Sequence, residues 1–157
     1  MQIVWALFLH VLLTSSAFAA DFTGQVVGVL DGDTIEVLHN HRPERIRLNG
    51  IDCPEKGQAF GTRAKQAASG LVYGMEVALE THGLDKYGRT IADVLLSDGT
   101  NVNHTLVKDG WCWWYRKYAP GDTGLERLER EAREARTGLW ADPQPVPPWE
   151  WRKASRR

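Results

Sequence analysis

Cysteine is scarce in this chain: Cys53 and Cys112 are the only two in 157 residues, and no Cys-x-x-Cys spacing occurs. That excludes a zinc site built on thiolates. It leaves room for one disulfide in an oxidising compartment, whereas in the cytosol the pair would stay reduced. An excess of positive charge is missing too. Lys and Arg number 19 against 20 Asp and Glu, for a formal net charge of -1. No global positive field announces a nucleic-acid partner, so any phosphate-binding role must rest on basic residues gathered locally. The apolar run from Ile3 to Leu13 is short for a membrane span.

Met1 to Ala20 contains no Lys, Arg, Asp or Glu and ends in Ser-Ser-Ala-Phe-Ala-Ala. Ala17-Phe18-Ala19 fits the small-x-small cleavage pattern, so residues 1–19 read as a signal peptide, although a basic n-region is absent. The expectation is an exported protein, periplasmic or secreted, with a retained N-terminal anchor as the lesser alternative. The remainder is one domain by length, large enough to bury a core. Residues 20–141 form that domain and residues 142–157 a basic tail rich in Pro and Trp.

Phe22 to Leu30 reads as a first strand, with Gly24 and Gly28 as bend or bulge points. Asp31-Gly32 is a hairpin-turn signal. It leaves a second acid, Asp33, entering the strand Thr34 to Leu38. An EF-hand loop is excluded because Ile35 and Val37 stand where oxygen ligands are required. His39-x-His41 lacks a nearby third ligand for zinc. In the next strand, Ile46 and Leu48 alternate with Arg45 and Arg47, so the arginines face away from the buried side. Asn49-Gly50 and Pro54 end that strand, and Asp52 and Glu55 follow at once. A guanidinium on a rigid strand beside two carboxylates is suited to holding a metal ion and a phosphate together.

Lys56 to Tyr73 carries apolar residues at helical spacing, with Gly74 as its stop. Met75 to Thr81 and Thr90 to Leu96 are further strands, joined by Gly83-Leu84-Asp85-Lys86-Tyr87-Gly88-Arg89, which anchors Arg89 at a strand start. Asn101 or Asn103 caps a short helix bearing Val102, Leu106 and Val107. Trp111 to Tyr118 interleaves aromatic residues with Arg116 and Lys117. Such a pattern stacks bases and neutralises phosphates, but one or two of the tryptophans are expected in the core, and Arg116 and Tyr118 are the better ligand candidates. Gly124 to Arg136 is an amphipathic helix whose Glu and Arg residues read as a solvated face. The prolines from Pro143 to Pro148 forbid regular structure there, and the tail beyond is expected to be mobile and dispensable for activity. Three strands, a helix, two strands and two C-terminal helices match an α+β, mainly β architecture: a five-stranded OB-fold Greek-key barrel with a helix between strands 3 and 4.

Asp31-Gly32-Asp33-Thr34, the run from Arg47 to Glu55, and Asp85-Lys86-Tyr87-Gly88-Arg89 occur in this order between these strands. From about Phe22 to Trp140 the chain resembles the staphylococcal nuclease (thermonuclease) family. The resemblance implies a calcium-dependent phosphodiesterase acting on DNA or RNA, leaving 3′-phosphate ends and needing no obligate protein partner; a monomer is expected. It implies Asp33, Asp52 and the Cys53 backbone carbonyl as calcium ligands, Glu55 as general base, and Arg47 and Arg89 as catalytic arginines. Lys86 and Tyr87 fall on its phosphate-proximal positions. Of its two nucleotide-stacking tyrosines, the second falls on Tyr118 and the first on Arg116. It also brings Cys53 near Cys112, where a disulfide is expected. Arginines stay charged at any working pH and offer planar forks matched to phosphate oxygens, and calcium takes hard oxygen ligands. The alternative is a non-catalytic OB barrel that binds single-stranded nucleic acid or a peptide; modules of that kind usually lose the acids or arginines retained here. An adhesion protein using the aromatic tail has only Trp149-Glu150-Trp151 behind it.

Overall fold

The structure is a computed structural model describing residues 20–156, so the expected signal peptide, residues 1–19, lies outside the described residues. Its centre is a closed barrel of β1 (Phe22–Asp31), β2 (Thr34–His39), β3 (Arg42–Leu48), β6 (Thr90–Leu96) and β5 (Glu76–Leu84), in that order around the ring. Neighbours pair antiparallel except β3 with β6, which run parallel. Alternate residues point inward, as the strand period of two requires. Ile35 and Val37, Ile46 and Leu48, Val77 and Leu79, and Ala92 and Val94 fill the interior and are fully buried. Each large side chain so removed from water contributes about 1.5–3 kcal/mol.

Two register shifts in the β1–β2 pairing bend β1, one between Val26 and Gly28 and one between Val29 and Asp31. Bulges of this kind supply the curvature that closure needs and re-aim the strand end, here Asp31. The register then brings the chemical residues to one rim. Thr34 on β2 lies opposite Arg47 on β3, and the parallel β3–β6 pairing sets Ile46 beside Thr90. Asp33, Arg47 and Arg89 therefore share an end of the barrel.

A second, two-stranded sheet pairs β4 (Ile51–Asp52) with β7 (Trp113–Trp114). Two helices flank the barrel. α1 (Gly61–Val72) lays Ala64, Ala68 and Val72 against it at helical spacing, and α2 (Val102–Lys108) buries Val102, Leu106 and Val107. The two cysteines are joined, Cys53 to Cys112, with Cα atoms 4.2 Å apart. The bond pins the residue after β4 to the segment after α2. α3 (Thr123–Glu134) is capped by Asp122, whose carboxylate accepts from the Leu125 amide.

Three details differ from the sequence-based expectations, and one choice the sequence left open, the cap of α2, is decided. α1 begins five residues later than Lys56, because residues 55–61 form a turn in which the Gln58 amide donates to the Glu55 carbonyl and the Gly61 amide to the Gln58 carbonyl. Asn101 caps α2, whereas Asn103 is a fully buried hub that bonds the Asn49 and Ala92 carbonyls and the Val94 amide. Glu129 does not belong to a solvated face: it is buried, accepts from the Trp114 amide, and pairs with Arg116 and Arg133. Finally, the tail is ordered. After a 3-10 turn at Gly138–Ala141, residues Pro148–Ala154 form a helix, α4, with Pro148 at its first turn, where a missing N–H costs nothing.

Candidate active site

Asp33, Asp52 and Arg47 meet at the barrel rim. The Arg47 Nη2 lies 3.3 Å from Asp33 Oδ2 and 3.2 Å from Asp52 Oδ1, so the two carboxylates converge on one cationic atom. Arg47 Nη1 also donates to the Leu48 carbonyl at 2.9 Å, which fixes the guanidinium plane. Asp33 Oδ2 accepts from the Cys53 amide at 2.7 Å, tying the β1–β2 turn to the residue after β4. Gly32 makes this approach possible, since a Cβ there would stand 2.7 Å from Cys53 Cβ and 3.0 Å from Ala64 Cβ. The sulfur of Cys53 is consumed by the disulfide, so any role of this residue toward a metal rests on its carbonyl.

Arg89 reaches one of these acids, Asp33, through a relay. Its Nη1 donates to Thr34 Oγ1 at 3.2 Å, and that hydroxyl donates to Asp33 Oδ1 at 3.3 Å. Its Nε pairs with Asp85 Oδ2 at 2.7 Å, so the expected catalytic arginine is held at two points. Lys86 and Tyr87 stand outside this cluster. Tyr87 is exposed, with Lys86 Nζ 4.9 Å and the Arg89 guanidinium 5.5 Å from its ring centre. A groove lined by Pro43, Glu44, Arg45, Tyr87, Gly88 and Arg89 runs beside them. Tyr118 is exposed and meets Tyr115 edge to face at 4.8 Å. Arg116 lies over the Trp114 ring and is engaged by Glu129. Trp113 and Trp114 are buried, so the segment from Trp111 to Tyr118 divides between core and surface.

Glu55 sits in the turn before α1. Its amide donates to Gln58 Oε1 at 3.0 Å, while Gln58 Nε2 donates to the Val146 carbonyl at 2.7 Å. Phe60, at φ 67°, and Gly61 close the turn. A Cβ on Gly61 would collide with the Glu55 carbonyl oxygen, so only glycine lets the turn fold this tightly.

Two residues that the sequence reading left out of the site belong to it. Asp31 accepts from the Asp33 amide at 3.0 Å. Burial, reinforced by the nearby Asp33 charge, pushes its carboxyl up to about 7. Burial likewise raises Asp52 to about 6, against the opposing pull of Arg152, whose hydrogen bonds favour the ionised form. Arg152 is the second. Its Nη1 donates to Asp52 Oδ1 at 3.1 Å and Glu55 Oε1 at 2.5 Å, and its Nη2 to Asp52 Oδ2 at 2.7 Å. Burial works against the Arg152 charge, but the bonds to Asp52 and Glu55 outweigh it and raise its pKa. Asp31 was readable from its place in Asp31-Gly32-Asp33. Nothing local marks Arg152, which lies 100 residues from Asp52.

Among the described residues, no three His, Cys, Asp or Glu side chains form a ready-made metal cage. What the rim offers is a pair of hard carboxylate donors already converged on a cation. That donor chemistry fits calcium in an open site completed by carbonyl, water and substrate oxygens.

Residues 45–142 match the model of the family described as staphylococcal nuclease homologue. A micrococcal nuclease of Shigella flexneri is 44% identical over 93% of this chain and 89% of its own length. An uncharacterized endonuclease of Escherichia coli O157:H7 is 46% identical over 85% of this chain and 86% of its own. Protein ParB of Escherichia coli is 44% identical over 94% and 88%. With its barrel, its paired acids and its rim arginines, the chain belongs to the staphylococcal nuclease family.

Proposed function

We propose that this protein is a calcium-dependent nuclease that hydrolyses phosphodiester bonds of DNA or RNA and leaves 3′-phosphate ends. The observation that carries the reading is the convergence of Asp33 and Asp52 on one cationic atom at the rim, with Arg47, Arg89 and Glu55 around it. The relatives named as nucleases support it. The non-catalytic barrel has no observation in its favour.

Asp33, Asp52 and the Cys53 carbonyl would hold the calcium, whose charge, when bound, polarises a phosphate oxygen and a coordinated water. Arg47 and Arg89 donate to the phosphate oxygens as negative charge grows on them. Both guanidinium groups are pre-oriented, Arg47 by the Leu48 carbonyl and Arg89 by Asp85, so little reorganisation is needed at the moment of reaction. Glu55 takes the proton of the attacking water. Lys86 and Tyr87 border the groove beside Arg89 and would receive the flanking phosphate, with Tyr118 and Arg116 on the aromatic side. Export is part of the same reading, and a disulfide suits an oxidising compartment.

The test is digestion of heat-denatured DNA and of RNA in calcium, with chelator, Glu55→Ala and Arg47→Lys controls and end-group analysis. Calcium-dependent cleavage to 3′-phosphates is expected, with each variant slower by about 100-fold or more, the usual loss for one preorganised donor at Arg47 or one general base at Glu55. Binding without cleavage would refute the reading.

A further inference from the structure

The C-terminal helix is fastened to the acidic site at several points. Gln58 joins the Glu55 amide to the Val146 carbonyl, and Pro148 is buried. The Trp149 ring stacks on Tyr115 at 5.2 Å with the planes 5° apart, and meets Trp113 edge to face at 5.6 Å. These contacts aim one side chain, Arg152, between Asp52 and Glu55. Arg152 bonds both Asp52 oxygens and one Glu55 oxygen, while Arg47 takes Asp52 Oδ1 from the other side. Both oxygens that Asp52 would offer to a metal are thus already engaged by guanidinium groups. A dipositive ion arriving at Asp52 meets a like charge within a few ångströms and loses the donor electron density that Arg152 holds.

We propose that Arg152 is a built-in counter-cation of the site, which holds Asp52 and Glu55 together in the metal-free protein and competes with the divalent ion for Asp52. The C-terminal helix thereby sets the cation affinity. The proposal rests on reading Asp33 and Asp52 as the calcium site. Trp149 acts as the anchor that delivers Arg152, and Arg152 is a positioning residue of the acids.

Isothermal titration of calcium into the intact protein tests it, comparing the unsubstituted chain with Arg152→Gln, Arg152→Lys and Trp149→Ala. Arg152→Gln is expected to bind calcium about tenfold more tightly, a change of about 1.4 kcal/mol. Trp149→Ala shifts the same way because the helix loses its anchor, and it keeps the test alive if Arg152→Gln fails to fold. Arg152→Lys falls between, since a lysine keeps the charge but cannot bridge both acids. Unchanged or weaker affinity in Arg152→Gln and Trp149→Ala overturns the competition while leaving the calcium reading intact. Absence of calcium binding in every protein overturns both.

Discussion

Removing the disulfide should cost the protein stability and its site order together. Cys53 and Cys112 are 59 residues apart, and cross-linking a loop of that length removes about 4 kcal/mol of chain entropy from the unfolded state. For a domain of this size, that loss corresponds to a midpoint lower by on the order of 10 °C. The consequence for the site follows from position. Cys53 succeeds Asp52, and its amide holds Asp33 Oδ2 at 2.7 Å, so slack at Cys53 loosens both acids. The perturbation is the double variant Cys53→Ala and Cys112→Ala, which buries only small apolar side chains. The assay is thermal unfolding followed by circular dichroism, paired with calcium titration of the folded protein. A lower midpoint with weaker calcium binding is expected. A midpoint within about 3 °C of the intact protein would refute the entropic argument. Unchanged calcium affinity would refute the coupling of the bond to the acids.

Two further outcomes follow from the site. Asp31 and Asp52 have carboxyls raised on folding from 3.8 to about 7 and about 6, so the folded state binds more protons across that window. Their contribution to stability is complete below about pH 4 and is lost as pH rises through 6 to 7. In chelator, the melting midpoint of Asp31→Asn should therefore gain on the parent protein as pH rises from 4 to 8; a constant difference between the two would contradict the assignment. Gly61→Ala gains less than the about 1 kcal/mol of a helix-interior substitution, because Gly61 is the first residue of α1, and its Cβ collides with the Glu55 carbonyl. The collision should dominate: turnover should drop about 10-fold or more with a cooperative melt retained, and full activity would show that the turn can relax without moving the Glu55 carboxylate.

The barrel was legible because its evidence is local. The alternation of Ile46 and Leu48 with Arg45 and Arg47 marks β3 and its buried face, and Asp31-Gly32 marks the first hairpin. The α1 start was misplaced because Gln58, Phe60 and Gly61 form a turn held by side-chain and left-handed backbone geometry that periodicity does not register. Glu129 was misread for a different reason. Its spacing, four residues after Leu125 and three before Ala132, sets it on the buried face of α3. Its charge argued for solvent, and only the arrival of β7 and Arg116 supplies the partners that make it a buried acceptor.

Residue type and order by themselves determined the five barrel strands, the two principal C-terminal helices, and the presence of Asp33, Arg47, Asp52, Glu55 and Arg89 at or just beyond strand ends. Those follow from side-chain period, turn chemistry and the chemistry of each group, which act over a few residues. The tertiary structure alone decided which of these groups meet. The parallel β3–β6 pairing brings Arg89 to the rim that Arg47 occupies, and the β4–β7 pairing carries Cys112 to Cys53. The docking of Trp149 on Tyr115 delivers Arg152 to Asp52 and Glu55. Contacts across 100 residues depend on how loops close and surfaces pack, and no short stretch of sequence carries that information.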